Sequence, residues 1–342
     1  MRLSSIGEFS VIRQIQESFN TRTNDIILGI GDDAAIIKTS GKNLLVTVDM
    51  LIEGIHFSID TTTPFQLGYK SLAVNISDIY AMGGTPRFFL LGLGLPGDYM
   101  KEDLDSLLAG MDMLAREKGI SLIGGDTCES KEGVIISGTL IGEVQRALRR
   151  CNARIGDGIF VTGTLGDSAL GLRILEKLGR HVRVEHGKGA VISGKRFFSS
   201  IKRHLMPEPR DPSAYIAVAT SMIDISDGLL IDLSHICDES HVGYRLYLDK
   251  IPLSDEVMEW EGISGRDAVE LALSGGEDYE LLFTAPMDSK VDATIIGEIT
   301  QGGRVAIDKY GMERFFEAEG YEHFKPHTRK QRTAGYRNRD RR

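Results

Sequence analysis

The sequence predicts an α/β protein that is divided into two domains. Its 342 residues suffice for two domains of ordinary size, each with a hydrophobic core of its own. Apolar, strand-like runs alternate with amphipathic helical segments in both halves of the chain. The polar and basic stretch at 145–158 separates the two apolar patterns, as a linker does. We therefore expect domains at 1–147 and 148–324, followed by a tail at 325–342.

The composition is that of an ordinary globular protein. Hydrophobic residues make up 42% and charged residues 26% of the chain, which excludes disorder over most of its length. The longest apolar runs, such as FFLLGLGLP at 88–96, are shorter than the roughly 20 residues of a membrane helix. The first residues lack the apolar core of a secretion signal. These observations predict a cytoplasmic protein with no membrane partner.

Charge is distributed unevenly along the chain. The net charge is −9, but the tail from Lys325 to Arg342 carries eight Lys or Arg against one Asp, which leaves −16 for the remainder. An acidic body binds polyanions poorly, so no specific nucleic acid partner is expected. The tail itself fits a solvated, disordered end better than a binding segment. Cys128, Cys151 and Cys237 lie far apart and are predicted to be reduced structural thiols.

Two clusters of acidic residues lie close together near the start of the chain. In GIGDDAAI, at 29–36, two glycines precede Asp32 and Asp33, although this pattern also fits a simple turn. LLVTVDM, at 44–50, is predicted to be a buried strand because of its length and β-branched content. We expect this strand to end at Asp49, whose carboxylate either reaches a site at the sheet edge or caps the strand.

The remainder of the first half adds two more acidic positions. Asn75 and Asp78 share one side of a largely apolar helix, where they form either the polar edge of a site or a hydrogen-bonded contact between helices. Asp126 follows two glycines after a short strand, and glycines allow a backbone to approach a phosphate closely. The predicted elements of this half, besides the strand at 44–50, are helices at 7–19, 64–86 and 101–119 and strands at 88–96, 120–127 and 134–144.

Strand–turn–helix patterns recur in the second half. IFVTGTLGDSALGLRIL, at 159–175, can cradle an anion at the start of its helix, but it lacks the lysine of a P-loop and is a weak signal. SMIDISDGLLIDLSHIC, at 221–237, places Asp224 and Asp227 between a strand and a helix. Taken alone, Asp227 fits a helix N-cap.

Two further polar residues lie in similar surroundings. His56 stands between Ile55 and Phe57, and a single histidine of this kind is usually a partly buried structural residue. Glu277 follows a Gly-Gly pair in LALSGGEDYELLF, at 271–283, just before a predicted strand. Neither residue alone indicates a function.

The acidic positions become informative when they are considered together. They lie at the ends of predicted elements, next to glycine or to a helix start: Asp32, Asp33, Asp49, Asp78, Asp126, Asp224 and Asp227. If they converge, their mutual repulsion is costly unless cations lie among them. Hard oxygen ligands without a His or Cys cluster favour Mg²⁺, which bridges to substrate phosphates. The pattern therefore predicts a Mg²⁺-dependent phosphoryl-transfer site without a P-loop.

At this level of detail the chain resembles a known family. From about residue 5 to residue 324, and in order, it is similar to the thiamine-monophosphate kinase family of the aminoimidazole-ribonucleotide synthetase superfamily. The motifs that carry the resemblance are GIGDDAAI, TVDMLIEGIHF, KSLAVNISDIYAMGGTP, LIGGDT, VTGTLGDSALGL, RHLMPEPR, IDISDGLLIDL, LSGGEDYELLF and GYEHF. Several of these motifs are long enough to be specific to the kinase rather than to the superfamily.

The resemblance implies ATP-dependent phosphorylation of thiamine monophosphate to thiamine diphosphate, the last step in the biosynthesis of that cofactor. Transfer would be direct, and no general base is expected, because the acceptor phosphate is already ionised. The implied ligands of Mg²⁺ are Asp33, Thr47, Asp49, Asp78, Asp126, Asp224 and Asp227. The implied ATP contacts are Gly125, Asp126, Arg150 and Ser226. The implied residues of the thiamine-phosphate pocket are His56, Glu277 and Tyr321.

The resemblance also implies a quaternary structure. An N-terminal α/β domain holds most of the ATP and pairs its sheet with that of a second subunit in a homodimer, while a C-terminal α/β domain covers the nucleotide. Val48 departs from the family pattern, in which a hydroxyl residue commonly precedes this aspartate, and we leave it out of the site. The tail matches nothing in the family.

Two other functions are compatible with the sequence. A kinase or ligase of the same superfamily could act on a different phosphate. A non-catalytic regulator could bind a nucleotide or thiamine phosphate. The full carboxylate set argues against the regulator, since binding alone does not need so many metal ligands.

Overall fold

A computed structural model describes residues 26–28, 32–39, 41–264 and 268–314. The predicted helix at 7–19, the predicted pocket residue Tyr321 and the basic tail lie outside these residues. The described chain folds around two mixed β-sheets, one in each half, with helices packed against them. No helix in the described ranges is long and apolar enough to cross a membrane.

The helices are α1 (Pro64–Ala81), α2 (Lys101–Lys118), α3 (Asp167–Leu178), α4 (Ser199–Leu205), α5 (Leu229–Ser240), α6 (Asp255–Ser264) and α7 (Ala268–Ser274). The strands of the first half are β1 (Ile26–Leu28), β2 (Ala35–Ile37), β3 (Asn43–Ile52), β4 (Thr85–Leu95), β5 (Ser121–Glu129) and β6 (Ile135–Val144). The strands of the second half are β7 (Asp157–Val161), β8 (Ala190–Ile192), β9 (Lys195–Phe197), β10 (Ser221–Asp224), β11 (Gly243–Tyr247), β12 (Leu281–Pro286), β13 (Thr294–Thr300), β14 (Arg304–Ile307) and β15 (Glu313–Arg314).

The first sheet has the strand order β1-β2-β3-β6-β4-β5. Its neighbours are antiparallel except for β4 and β5, which are parallel. Successive residues of β3 point to opposite faces. Leu45, Thr47 and Leu51 are buried on the face that packs against α1, whereas Val48 and Met50 are 61% and 50% exposed on the other face. One face of this sheet is therefore covered by helices, and an apolar face remains open.

Helix α1 lies on the covered face and has strong local signals. Thr63 and Gln66 form a capping box at its start, with Pro64 in the first turn, and the chain leaves the helix at Gly83, which has a φ of +71°. Most of its residues are buried, so the helix is held rigidly against the sheet. It thereby fixes the position of any polar residue that it presents.

The second sheet has the order β10-β12-β7-β13-β11-β14-β15. Strand β10 is antiparallel to β12, and β12 is antiparallel to β7. The pairing of Asp224 with Leu281 brings the end of β10 beside the start of β12. The segment that follows β10 and the segment that precedes β12 consequently lie together at one edge of this sheet.

Most predicted elements of the described residues are confirmed, but two positions were wrong. Asp49 does not end its strand: β3 continues to Ile52, and Asp49 pairs with Gly138 within an unbroken ladder to β6. Asp126 likewise lies inside β5, where it pairs with Gly92 of β4. In both cases the hydrogen bonds to the neighbouring strand continue past the acidic residue, because a polar side chain at one position does not interrupt a backbone ladder.

Candidate active site

Three carboxylates from distant parts of the chain meet where the two halves pack together. One oxygen each of Asp33, Asp78 and Asp224 lies within 4.8 Å of the other two. Asp33 precedes β2, Asp78 lies in the last turn of α1, and Asp224 ends β10. The sequence predicted this convergence, and the structure confirms it for these three residues.

The cluster is electrostatically unfavourable without a cation. Burial, followed by the negative charge of Asp33, raises the pKa of Asp224 to about 8. Burial and then Asp49 and Asp224 raise the pKa of Asp78 well above its ordinary value. Carboxylates that are neutral near pH 7 for these reasons become ionised when a cation lies among them.

Strand β3 adds two side chains to the covered face beside this cluster. Thr47 is buried and donates a hydrogen bond to the carboxylate of Asp78. Burial, and next the charge of Asp33, raises the pKa of Asp49 to about 6. Because Thr47 and Asp49 are two residues apart on a strand, both side chains point toward α1. Asp49 therefore approaches the cluster from the middle of β3 and not from a strand end, as we had expected.

Unpaired buried oxygens show that the site fits a hard cation. Asp33 Oδ2 and Asn75 Oδ1 are buried and have no hydrogen-bond partner among the described residues. The amide nitrogen of Asn75 donates to the carbonyl of Ser71 at 3.0 Å, so its oxygen is the free end of the side chain. An added Cβ at Gly138, which pairs with Asp49, would lie 2.6 Å from this amide. Orphaned carboxylate and amide oxygens are suitable ligands for Mg²⁺ or its bound water.

Arg150 is bound to the acidic cluster on its other side. Its guanidinium donates to Asp33, and its Nε lies 3.6 Å from Asp32. Burial, and then the charge of Asp33, raises the pKa of Asp32 to about 7. The Nε of Arg150 has no hydrogen-bond partner among the described residues. One donor of this arginine is therefore buried beside Asp32 without a hydrogen bond, and the guanidinium neutralises part of the cluster.

The turn after β10 differs from one of our interpretations. We considered Asp227 as a helix N-cap, but the N-cap of α5 is Gly228, and the carboxylate of Asp232 accepts the backbone N–H groups of Asp227 and Gly228 at 3.2 and 3.1 Å. Asp232 lies within the first turn of α5, so it can reach back to these groups. After burial, the charge of Asp227 is the next cause that raises the pKa of Asp232. The carboxylate of Asp227 thus lies beside a second buried carboxylate.

The predicted anion cradle at the start of α3 is filled by the chain itself. Asp278 accepts the backbone N–H groups of Gly166 and Ser168 at 2.6 and 3.0 Å. A carboxylate bound to a helix N-terminus occupies the place that a phosphate would take. We therefore exclude this turn from the site.

Glu277 lies in a polar contact that the sequence did not predict. Its carboxylate is 2.9 Å from the Nζ of Lys70 and 3.2 Å from the Nδ1 of His204. Tyr279, two residues on, is buried, and the charges of Glu277 and Asp49 add to the effect of burial in raising its pKa well above the ordinary value. The sequence gives one sign of this contact: Lys70 is a charged residue among the apolar, buried residues of α1.

The contacts of the other predicted site residues do not indicate a role in the site. His56 accepts the backbone N–H of Ile52 on Nδ1 at 3.0 Å, so the proton of its neutral ring is on Nε2. Ser226 accepts the backbone N–H of Glu277 at 2.8 Å. Gly125 and Asp126 are exposed on the edge strand β5, and Asp126 is not one of the three clustered carboxylates. Their roles, and that of Tyr321, stay predictions.

Comparison with known proteins assigns this architecture to a family. The AIR synthase related protein family matches through its N-terminal domain at residues 31–144 and its C-terminal domain at residues 154–309. Thiamine-monophosphate kinase of Aquifex aeolicus is 36% identical over 329 residues, which cover 95% of this chain and 100% of that protein. The chain belongs to the thiamine-monophosphate kinase family. The Escherichia coli kinase of the same name is 37% identical over 93% of this chain and 98% of its own length.

Solved structures of thiamine-monophosphate kinases share the fold. AaThiL complexed with AMPPCP and TMP has a TM-score of 0.81 and 34% identity, over 94% of this chain and 99% of that chain. The kinase from Stenotrophomonas maltophilia has a TM-score of 0.70 and 38% identity, over 87% and 96%. Both similarities span the two sheets and the packed halves between which the acidic cluster lies.

Proposed function

We propose that this protein uses ATP and Mg²⁺ to phosphorylate thiamine monophosphate to thiamine diphosphate. The observation that carries the proposal is the convergence of Asp33, Asp78 and Asp224 in a buried cluster beside Asp49. The names of the thiamine-monophosphate kinase relatives, and the AMPPCP and TMP of the AaThiL structure, support the choice of substrates.

The acidic cluster is the proposed Mg²⁺ site. Asp33, Asp49, Asp78 and Asp224 would form its centre, with Thr47 beside them and with Asp126 and Asp227 as the further predicted ligands. When bound there, Mg²⁺ neutralises the carboxylates and the phosphates and polarises the transferred group. Without such a cation, two anionic substrates would be repelled by the cluster.

The protein groups would act by binding and positioning. Arg150 would bind the polyphosphate of ATP, together with the backbone of Gly125 and the side chain of Ser226. His56, Glu277 and Tyr321 would bind the acceptor. The acceptor phosphate is already an oxyanion at neutral pH, so no protein base has to remove a proton from it. Holding donor and acceptor in line is the main task of the site.

A homodimer is part of the proposal. The open face of the first sheet presents the large apolar side chains of Val48, Met50 and Phe88, and the exposed edge strand β5 carries Leu122 and Ile123. Exposed apolar surface of this kind is typical of an interface. Strand β5, at the edge of the sheet, carries Gly125 and Asp126. Pairing of two such sheets would bury this strand and change the surroundings of both residues.

The test is an assay of ADP formation with Mg²⁺ and either thiamine monophosphate or free thiamine. Turnover with the monophosphate alone is expected. If free thiamine alone is a substrate, the protein is a different kinase, and if neither is used, the proposed function is wrong. Binding of ATP without turnover of either acceptor would favour the regulator. Size-exclusion chromatography with light scattering tests the dimer separately.

A further inference from the structure

A buried lysine connects the two halves of the molecule. Lys70 lies on α1, two turns before Asp78, and its side chain is only 2% exposed. Its Nζ contacts the carboxylate of Glu277, which is 207 residues away in the sequence, at 2.9 Å. Removing two charges from water costs free energy, and an apolar pair of similar volume would often be at least as stable. Packing alone therefore does not explain why this contact is ionic.

A histidine completes the surroundings of the carboxylate. His204, on α4, is buried and places its Nδ1 3.2 Å from Glu277 and 3.2 Å from the hydroxyl of Ser168. Burial, and then the nearby charge of Lys70, lowers the pKa of His204. When Nδ1 carries the proton of the neutral ring, it can donate to Glu277, because an ionised carboxylate accepts only. Lys70 and His204, on two different helices, thus converge on one carboxylate.

The backbone of Glu277 is also held in a defined conformation. Glu277 and Tyr279 have φ values of +64° and +51°, which non-glycine residues adopt at a cost. Their N–H groups donate to the carbonyls of Ser226 and Ile225 at 2.8 and 2.9 Å. Glu277 is therefore fixed relative to the turn that follows Asp224. Backbone strain of this kind is typical of functional sites.

The carboxylate of Glu277 is held firmly but is not enclosed. Its side chain is 27% exposed, whereas Lys70 and His204 are nearly inaccessible. The accessible part can accept a hydrogen bond from a ligand while Lys70 and His204 restrict its movement. A fixed, charged acceptor loses little entropy when it binds an N–H donor.

We propose that Lys70 and His204 are positioning residues that fix Glu277 as the acceptor for an N–H group of the substrate. This inference rests on the proposed function, and the aminopyrimidine ring of thiamine monophosphate supplies such a donor. Lys70 and His204 act through Glu277 and do not touch the acceptor. Lys70 also ties α1, which carries Asp78, to the segment before β12, whose backbone is hydrogen-bonded to the turn after Asp224. The site for the organic end of the substrate thereby keeps a fixed position relative to the acidic cluster.

A double-mutant cycle tests this inference. Lys70→Met, Glu277→Gln and the double variant are compared with wild type in KM for thiamine monophosphate, KM for ATP and kcat. Lys70→Met should raise KM for thiamine monophosphate about 10-fold and leave KM for ATP within about 2-fold, because a hydrogen bond to a charged group is weakened on one substrate only. In the Glu277→Gln background, the same change should have an effect of less than about 2-fold.

Each outcome decides between support and rejection. Additive effects of the two changes, or an unaltered KM in Lys70→Met, overturn the inference while leaving the proposed function intact. A wild-type protein that does not use thiamine monophosphate overturns both. Lys202→Met is the matched control, because it removes a solvent-accessible ion pair with Glu208 from α4. If Lys70→Met does not fold, His204→Leu takes its place in the cycle, with the same requirement of non-additivity with Glu277→Gln.

Discussion

The hydroxyl of Ser77 donates a hydrogen bond to the carboxylate of Asp224, and this bond joins the helix of the first half to the last residue of a strand in the second. Asp78, the next residue on α1, belongs to the same carboxylate cluster. The cluster is therefore assembled only when the two halves are packed together. Lys70 and Glu277 make a second connection between the same two halves.

Asp49→Asn tests whether the mid-strand carboxylate belongs to the metal site. We expect activity to fall by about 100-fold or more, while the protein stays folded, because an amide is a poorer ligand for Mg²⁺ than a carboxylate. Unfolding of the metal-free variant should occur at a higher temperature than in wild type, since one buried and mutually repelling carboxylate is removed. Asp60→Asn, at an exposed position, is the control. Near-normal activity of Asp49→Asn would mean that Asp49 is not a ligand.

The stability of the metal-free protein should depend on pH with a defined sign. The pKa values of Asp49 and Asp224 are raised from 3.8 to about 6 and about 8. Groups with a raised pKa in the folded state contribute stability that is complete below pH 4 and is lost as pH rises toward 8. The free energy of unfolding in chelator should therefore fall over this range, apart from the contributions of other groups. Urea unfolding at several pH values measures it.

Mg²⁺ should reverse this trend. Because the cation binds the ionised carboxylates, its stabilising effect should be larger at pH 8 than at pH 5, and the slope against pH should flatten when Mg²⁺ is present. The same titration in Asp224→Asn should show a smaller difference between the two pH values. A Mg²⁺ effect that is equal at both pH values would contradict the assignment of the cluster.

Arg150→Met should lower the free energy of unfolding, because it leaves the buried carboxylate of Asp33 without its ion-pair partner. The side chain of Asp33 is 3% exposed, so loss of the guanidinium is expected to destabilise the metal-free protein by about 3 kcal/mol. KM for ATP should rise as well, because the arginine proposed to bind the polyphosphate is removed. Arg87→Met is the matched control: its ion pair with Glu143 lies at the surface and should contribute less than about 1 kcal/mol. Equal effects of the two changes on unfolding in urea would contradict this account of Arg150.

Substitution of the two adjacent glycines of β5, Gly124 and Gly125, distinguishes an effect on packing from an effect on phosphate binding. A Cβ at Gly125 would lie 1.9 Å from the carbonyl oxygen of Leu91, and its φ is +156°, so Gly125→Ala should destabilise the protein by about 2 kcal/mol or more. Gly124 has no atom within 4 Å of the corresponding position. Gly124→Ala should leave stability almost unchanged in thermal unfolding. A large loss of activity in Gly124→Ala alone would indicate that this backbone approaches a ligand.

The fold and the centre of the site were predictable because they depend on local patterns. The β-branched run at 44–50 and the apolar periodicity of α1 indicate burial directly, and acidic residues next to glycine at element ends indicated where carboxylates would meet. Asp33 precedes a strand, Asp224 ends one and Asp78 lies in the last turn of α1, and the three converge. These features can be predicted from the sequence because each depends on a few residues that are neighbours in the chain.

Contacts between distant residues could not be predicted in the same way. Lys70 meets Glu277 only after the two halves have packed, His204 meets it only after the second half has folded, and no periodicity records either pairing. Asp227 resembled a helix N-cap, yet Gly228 is the N-cap and the carboxylate of Asp232 accepts the N–H groups of both residues. The position of Asp49 within β3 depends on its ladder to β6, which lies about 90 residues further on. The sequence pattern therefore indicated which acidic residues converge, but it did not indicate which residues contact them.

The most direct test follows the terminal phosphate of labelled ATP. With Mg²⁺ and thiamine monophosphate, we expect the label to appear in thiamine diphosphate in a one-to-one ratio with ADP, with none retained on the protein, and we expect chelation of the metal or the Asp49→Asn change to abolish transfer. Absence of labelled thiamine diphosphate with wild-type protein, or transfer that persists in chelator, would contradict the account.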